Sequence, residues 1–346
     1  MKHTQMNRRE FVRDTALAAA SVAVGMTAVS ARGAEAAADK PVDTSKILNY
    51  NPNMEYRRQG KTGLMVSAVC LGGHSRNNDQ ERAEVISRSI DVGINYIDAC
   101  WDNEVKRDAK ALKGRRDKMY LGLSHGAKEV RNETYRTSKK LMEALDELLR
   151  DSEQDYTDLW RITCMEPGGR HTFDTAAEIV DALEKAKKQG KARHVGFSTH
   201  DRRWIKFMIE YFPQIDVVCF PFTTMTKAAP KDSVFEALKK QDVGAFGIKP
   251  FGDNALFAGD STLSHAEAVE DDRRARLAIR YILGNPAITA PIPGMANTHQ
   301  VDNVAKAVME RRKLDGKEKA ELEAAGKRMW ANLDPSHQWL KQWEWV

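Results

Sequence analysis

The chain has 346 residues, 42% of them hydrophobic and 30% charged, which is sufficient for one large core and typical in length of a single α/β barrel. Its formal net charge is +5, and the lysines and arginines are scattered along the chain. Scattered charge predicts a solvated surface and no nucleic-acid partner. One globular domain accounts for this composition.

The N-terminus has the layout of an export signal. Arg8 and Arg9 precede an Ala-rich apolar run, residues 16–31, and small residues follow it. This pattern resembles a twin-arginine signal peptide. The resemblance implies a signal over residues 1–37 that is cleaved near Ala36 or Ala37 after passage through the twin-arginine translocation machinery. The mature protein is then expected in the periplasm, or otherwise exported, without stable membrane insertion. A tethering transmembrane helix is the alternative, but the run is short and rich in Ala.

After a polar linker, residues 38–53, eight short apolar runs alternate with helical patterns. The runs are residues 66–71, 94–98, 119–123, 157–162, 192–197, 216–220, 244–248 and 288–292. This alternation predicts parallel βαβ units. No Gly-x-Gly-x-x-Gly follows the first run, so a closed barrel is favoured over a Rossmann sheet. We therefore predict an α/β fold, a single-domain (β/α)8 TIM barrel over residues 54–327, followed by a Trp-rich tail over residues 328–346.

For two of the helices, the sequence also predicts which face is buried or where the helix begins and ends. Residues 133–149 place leucines on one stripe of a helix. Asp174 is expected to cap a helix that ends near Gly190. In barrels of this kind the chemistry lies at the C-terminal ends of the strands, so functional residues are expected there.

The four cysteines, Cys70, Cys100, Cys164 and Cys219, fall near the ends of four different predicted strands. They lack zinc-finger and thioredoxin spacing. Disulfides are open to an exported protein. Barrel geometry nevertheless favours separate, small core residues, so we expect free thiols.

Several stretches resemble the aldo/keto reductase family, in that family's order. They are residues 54–64 (MEYRRQGKTGL), 66–73, 93–98 (GINYID), 155–159 (DYTDL), 190–198 (GKARHVGFS) and 292–303, which begins with IPG. The resemblance spans about residues 54–310. It implies a barrel that reduces carbonyl compounds with a nicotinamide cofactor.

The family's catalytic groups are only partly present. It uses a Tyr as proton donor, a Lys that lowers the pKa of the Tyr, an Asp paired with the Lys, and a His that orients the substrate. By motif, Asp98 is the Asp. Residues 99–103 (ACWDN) replace the Tyr segment, while residues 121–125 (LGLSH) and 162–164 (ITC) stand where Lys and His are expected. Three of the four roles are therefore vacant.

The resemblance also assigns nucleotide-binding positions. The six positions are Ser198 at the carboxamide, Phe222 as a ring for nicotinamide stacking, and Lys249, Gly294, Gln300 and Asn303 toward the phosphates and adenine. Cys219 replaces the usual Gln. Residues 292–305 contain no Lys or Arg to hold a 2′-phosphate and include Asp302, which would repel it. NAD is therefore favoured over NADP.

Asp98 needs a new partner, because a buried, unpaired carboxylate is costly. His125, beside the vacated Lys position, is the first candidate and His74 the second. A His beside a carboxylate can donate a proton near neutral pH, so Asp98, His125 and His74 are the predicted catalytic residues. The alternative is that both imidazoles only bond to loops. The His and Cys spacing is not a metal motif, and we predict no metal site.

The tail contains Trp330, Trp339, Trp343 and Trp345. These rings fit either a platform for a sugar at the barrel mouth or packing against outer helices.

Three functions remain open from the sequence. The first is an exported oxidoreductase acting on a carbonyl or hydroxyl compound, with a sugar as one candidate substrate. The second is a non-redox barrel enzyme, namely a lyase, isomerase or hydrolase acting on a carbohydrate. The third is a catalytically inactive, ligand-binding barrel. The surviving nucleotide positions favour the first.

Overall fold

A short hairpin covers one end of the barrel. The computed structural model describes residues 43–73, 77–164, 172–259 and 263–346. Strands β1 (Tyr56–Arg58) and β2 (Met65–Ser67) pair antiparallel. The side chain of Gln59 packs so closely on Gly244 that a Cβ on this glycine would lie 2.7 Å from Gln59 Cδ. Gly244 begins a barrel strand, so the hairpin seals the N-terminal ends of the strands.

Eight parallel strands form the barrel, and each pairs with its neighbours in chain order. They are β3 (Leu71–Gly72), β4 (Tyr96–Ala99), β5 (Tyr120–Leu123), β6 (Thr157–Thr163), β7 (Ala192–Ser198), β8 (Val217–Pro221), β9 (Gly244–Ile248) and β10 (Ala290–Ile292). The first and last strands meet where the amide of Gly72 donates to the carbonyl of Pro293 at 2.8 Å, next to a parallel bridge between Gly72 and Gly294. The predicted (β/α)8 barrel is confirmed.

The first predicted strand, residues 66–71, is divided in the structure. Its beginning belongs to the hairpin and its end to β3. Between them, the hydroxyl of Ser67 donates to the carbonyl of Val69 at 2.7 Å. Such a local side-chain bond competes with strand pairing and favours a turn. The apolar run therefore serves two sheets.

The strands bury both faces. Leu159, Val217 and Phe246 belong to a cluster inside the barrel, whereas Trp160 and Val218, one residue further on, pack in the layer beneath the helices. This alternation follows from the two-residue period of a strand. Burial on both faces explains the nearly continuous apolar runs in the sequence.

Nine α-helices lie outside the barrel in the described part of the chain. They are α1 (Asp79–Asp91), α2 (Asp102–Ala111), α3 (Ser138–Asp151), α4 (Phe173–Lys188), α5 (Arg202–Tyr211), α6 (Val234–Gln241), α7 (Ala268–Leu283), α8 (Thr298–Met309) and α9 (Gly316–Asn332). Among these, none is long and apolar enough to span a bilayer.

Two helix starts differ from the prediction. The segment predicted over residues 133–149 is a 3-10 turn, Glu133–Tyr135, followed by α3. The cap of α4 is Thr172, whose side chain accepts from the amide of Thr175 at 3.1 Å, and Asp174 lies in the first turn instead. An acidic residue there still favours the helix through its dipole.

The segments that flank the barrel are attached to it, and residues 44–346 form one compact unit. Asn49 and Asn51, in the predicted linker, donate to the carbonyls of Ile90 and Asp91 at 2.8 and 3.0 Å. At the other end, α9 continues past the predicted boundary at residue 327 and is followed by a 3-10 segment, Pro335–Trp343. The last residue, Val346, is held by backbone bonds of 2.9 and 2.8 Å to Lys227 and Ala229.

All four cysteines are buried and none forms a disulfide, in agreement with the predicted free thiols. Burial raises the pKa of Cys70, Cys164 and Cys219. A raised pKa lowers the thiolate fraction, so these three thiols are structural.

Candidate functional site

One large cavity, of about 1180 Å³, opens at the C-terminal ends of the strands. Its floor includes Asp98 from β4, Arg161 and Thr163 from β6 and Ser198 from β7. Residues from α7, α8 and the C-terminal segment form its walls. The cavity therefore lies at the end of the barrel where this fold carries its chemistry.

The partner of Asp98 is Arg161. The Nε of Arg161 donates to Oδ1 of Asp98 at 2.6 Å, and Nη2 donates to Oδ2, so the pair is bidentate. Both side chains are buried, with 5% of Asp98 and 4% of Arg161 exposed. Burial lowers the pKa of Arg161, but the charge of Asp98 outweighs it and keeps that pKa well above its ordinary value. The floor of the cavity thus holds a permanent, neutralised ion pair.

The predicted partner, His125, is elsewhere. It is buried, is not among the residues that line the cavity, and its backbone amide donates to Glu129 Oε1 at 3.0 Å. Its Nδ1 has no hydrogen-bond partner among the described residues. The expected pair of Asp98 and His125 was therefore wrong, because β6 brings a guanidinium closer. His74 lies outside the described residues.

The vacated family positions hold small polar groups. The hydroxyls of Ser124 and Thr163, at the ends of β5 and β6, are 2.7 Å apart. The thiol of Cys100, just after β4, lies 3.5 Å from the Ser124 hydroxyl. By motif, Ser124 and Thr163 stand in the segments where the family has its Lys and His, and neither side chain carries a charge.

Glu129 connects the loop that follows β5 with β6. Its carboxylate accepts from the amides of His125, Gly126 and Thr163 and from the indole of Trp160, at 3.0, 3.3, 2.7 and 3.3 Å. Only 1% of Glu129 is exposed. Sequence reasoning missed this residue because it lies in a loop outside every family motif.

Five of the six predicted nucleotide positions line the cavity: Ser198, Lys249, Gly294, Gln300 and Asn303. Phe222 does not. It is 1% exposed, and its ring lies 6.0 Å from that of Phe235 on α6, beneath the helices. The stacking role predicted for Phe222 was wrong, and Ile248, at the end of β9, lines the cavity instead. Cys219 is buried inside the barrel.

Asp302 also lies outside the cavity. Its carboxylate pairs with Arg88 of α1 at 2.6 Å, on the other side of α8. The expected repulsion between Asp302 and a 2′-phosphate was therefore wrong. Asp272 of α7 does line the cavity, where its Oδ2 lies 2.6 Å from Nε2 of His299.

The C-terminal segment forms part of the cavity wall through Trp339, which stacks on His200 with ring centroids 4.2 Å apart. The indole N–H of Trp343 donates to the carbonyl of His200 at 2.9 Å. Trp343 is fully buried, Trp330 packs against the core, and Trp345 is 39% exposed. The tryptophans of the tail therefore have different environments: Trp339 lines the cavity, whereas Trp343 is part of the packed core.

The described residues contain no group of three or more His, Cys, Asp or Glu side chains that could hold a metal ion together.

Comparisons with known proteins agree with this architecture. A family model described as the aldo/keto reductase family matches residues 68–327. L-galactose dehydrogenase of Arabidopsis thaliana is 22% identical over 304 residues, which cover 78% of this chain and 94% of that protein. The uncharacterized oxidoreductase YqkF of Bacillus subtilis is 24% identical over 307 residues, covering 77% and 95%.

Solved structures show the same fold. The holo form of aldo-keto reductase AKR11C1 from Bacillus halodurans superposes with a TM-score of 0.63 and 21% identity, covering 82% of this chain and 99% of that one. An aldo/keto reductase from Klebsiella pneumoniae, in complex with NADP and acetate, gives a TM-score of 0.60 and 19% identity over 78% and 94%. Because the family model covers most of the barrel, this chain belongs to the aldo/keto reductase family.

Proposed function

We propose that the protein is a nicotinamide-dependent oxidoreductase that interconverts a carbonyl and a hydroxyl compound with a non-standard arrangement at the reacting oxygen. One observation carries the proposal. Five of the six predicted nucleotide positions and the Asp98–Arg161 pair line the same cavity. A cofactor and a reacting group can therefore meet there.

The residues present fit a nicotinamide nucleotide. Ser198 offers a hydroxyl at the strand ends, and Gln300, on the first turn of α8, offers its NH2 group while its oxygen accepts from the amide of Ala296. Asn303 lines the same wall, with its amide bonded to Arg276 and Asp272. At Gly294, a Cβ would lie 3.2 Å from the carbonyl of Gly73, so the lack of a side chain lets these two cavity-lining segments approach each other closely. We assign these residues to the cofactor, with Lys249 beside them.

When bound, the cofactor supplies the hydride that is exchanged with the substrate carbon. Negative charge then develops on the carbonyl oxygen and needs a nearby positive charge. Arg161 is the cationic half of the pair at the cavity floor, and the N–H groups that it does not give to Asp98 can donate to that oxygen. Since arginine does not deprotonate in proteins, Arg161 acts as an electrostatic stabiliser and not as the acid.

His200 is the imidazole that we assign to the substrate oxygen in place of His125. It lines the cavity directly after β7. Its Nδ1 lies 3.5 Å from Nη2 of Arg131. A guanidinium can only donate, so this contact favours the tautomer of a neutral ring in which Nδ1 accepts and Nε2 carries the proton. Such a ring can donate a hydrogen bond to a substrate oxygen, and the proton that completes the hydroxyl group is supplied by solvent through the open cavity.

A sugar is the substrate class that the cavity favours. The aromatic side chains of Trp101 and Trp339 both line it, and aromatic faces pack well on the C–H faces of a sugar ring. The name of the Arabidopsis relative points to the same class.

Cofactor binding tests this proposal directly. With the purified mature protein, NADH or NADPH should quench tryptophan emission, because Trp339 lines the cavity. Ser198→Ala should raise the dissociation constant about five- to tenfold, the value of one hydrogen bond. Ser152→Ala is the matched control, since this buried hydroxyl bonds only to carbonyls within the end of α3 and should leave binding unchanged. If neither nucleotide binds at millimolar concentration, the proposal is wrong.

We also propose export by the twin-arginine pathway, which rests on Arg8, Arg9 and the Ala-rich run that follows them. These residues lie outside the described part of the chain. Exchange of both arginines for lysine should leave the uncleaved precursor in the cytoplasm of a bacterium with that pathway, as seen by fractionation. Arg13→Lys, outside the pair, is the control and should be exported normally. Equal export of all three proteins would contradict the assignment.

A further inference from the structure

The end of the cavity between α7 and α8 is acidic. Asp271 and Asp272 line it from α7, and His299, Gln300 and Asn303 line it from α8. Asn303 and Gln300 are the positions assigned above to the phosphate and adenine side of the nucleotide. Asp272 is next to them, because its backbone carbonyl accepts from the amide of Asn303 at 2.9 Å.

The carboxylate of Asp272 is only partly used by the protein. Its Oδ2 lies 2.6 Å from Nε2 of His299, and 30% of the side chain is exposed. Oδ1 makes no hydrogen bond to any described residue. A carboxylate oxygen is an acceptor, and it suits a hydroxyl donor from a ligand.

The guanidinium groups of Arg274 and Arg276, two arginines near Asp272 on α7, bond to other groups of the protein. Arg276 donates to Oδ1 of Asn303 and to Glu310, at 2.6 and 2.9 Å. Arg274 pairs with Asp271, whose carboxylate also accepts from the amides of Ala258 and Gly259. Neither arginine is among the residues that line the cavity.

The pair of Asp272 and His299 therefore never supplies net positive charge. With a neutral imidazole the pair carries one negative charge, and with a protonated imidazole it is neutral. A 2′-phosphate, which carries nearly two negative charges at neutral pH, would meet a carboxylate that has no compensating guanidinium beside it among the described residues. A ribose 2′-hydroxyl would instead donate to that carboxylate, as it does to an acidic residue in other dinucleotide sites.

We propose that Asp272 is the residue that selects NAD(H) over NADP(H). The inference rests on the proposed function, since it requires a nicotinamide nucleotide in this cavity. The role of discriminating against a 2′-phosphate, which the sequence analysis gave to Asp302, is thereby assigned to Asp272, whose side chain lines the cavity. Lys249 also lines the cavity, on the wall formed by the C-terminal segment, where its Nζ lies 5.9 Å from the centre of the Trp339 ring.

The experiment compares dissociation constants of NADH and NADPH by fluorescence quenching in three proteins. The wild type should bind NADH at least about tenfold more tightly, because like charges that meet in an interface cost binding free energy. Asp272→Asn keeps the shape and removes the charge, so the ratio should fall several-fold, mainly through tighter binding of NADPH. Asp302→Asn is the matched control, with the same chemical change outside the cavity, and should keep the wild-type ratio.

The outcomes separate the two proposals. If the wild type binds neither nucleotide, the proposed function fails, and this inference fails with it. If both nucleotides bind but NADPH binds as tightly as NADH, or if Asp272→Asn leaves the ratio unchanged, only the role of Asp272 is overturned. If Asp302→Asn changes the ratio and Asp272→Asn does not, Asp302 and not Asp272 is the residue that selects the nucleotide. Equal unfolding midpoints of the three proteins show that the substitutions leave the fold intact.

Discussion

Replacement of Arg161 by Met should destabilise the protein by about 3–5 kcal/mol, the usual effect of removing one partner of a buried ion pair. The carboxylate of Asp98 would stay 5% exposed and lose both of its guanidinium donors. Methionine fills much of the same volume, so packing changes little. Unfolding in urea, followed by tryptophan fluorescence, measures the effect.

A double variant shows whether the unpaired charge causes the loss. Adding Asp98→Asn to Arg161→Met removes that charge, so the double variant should be more stable than Arg161→Met alone. Arg273→Met is the matched control, because Arg273 forms a bidentate pair with Glu321 that is 43% and 34% exposed. It should cost less than about 1 kcal/mol. A loss of that same small size in Arg161→Met would show that the pair does not stabilise the floor.

Replacement of Glu129 by Gln should cost about 3 kcal/mol. The carboxylate accepts four N–H groups, two on each oxygen, in a site that is 1% exposed. An amide offers one oxygen and one NH2 group, so an NH2 would face two N–H donors and leave them unsatisfied. The free energy of unfolding in urea again measures the loss.

The control for this variant is Glu133→Gln, a few residues further along the same loop. Glu133 is 85% exposed and pairs only with Arg136, so its substitution should change stability by less than about 0.5 kcal/mol. We also expect Glu129→Gln to weaken nucleotide binding less than Ser198→Ala, because Glu129 does not line the cavity. A Glu129→Gln protein as stable as the wild type would contradict the stabilising role assigned to this carboxylate.

The barrel was predictable because its strands are buried on both faces and alternate with helices, and this pattern does not depend on distant contacts. The features that the sequence did not predict depend on tertiary contacts. The run over residues 66–71 is apolar except for Ser67, and one serine did not by itself indicate that a turn divides the run. The cap at Thr172 was missed because Asp174 is an equally good capping residue by type.

Arg161 was missed for a different reason. Motif comparison looked for the partner of Asp98 at the family's own positions, whereas the charge comes from the middle of β6. A signal was present, since Arg161 is two residues after Leu159, a residue inside the barrel, and a charged residue at such a position needs a partner.

The wrong prediction that Asp302 faces the cofactor could have been avoided from the spacing of residues along α8. Residues three or four apart share a face of a helix. His299 and Asn303 therefore face the cavity together, and Asp302 shares the opposite face with Ala305, Lys306 and Met309. Helical phase, applied to α8, would have excluded Asp302.

The place of the C-terminal segment has a consequence for the order of events during synthesis. His337 and Trp339 form part of the cavity wall, and the backbone bonds of Val346 fix the segment that carries them. These residues are synthesised after every strand and helix of the barrel. The cavity is therefore incomplete until this segment has left the ribosome, and a ligand that is enclosed by this wall can be retained only from that point on.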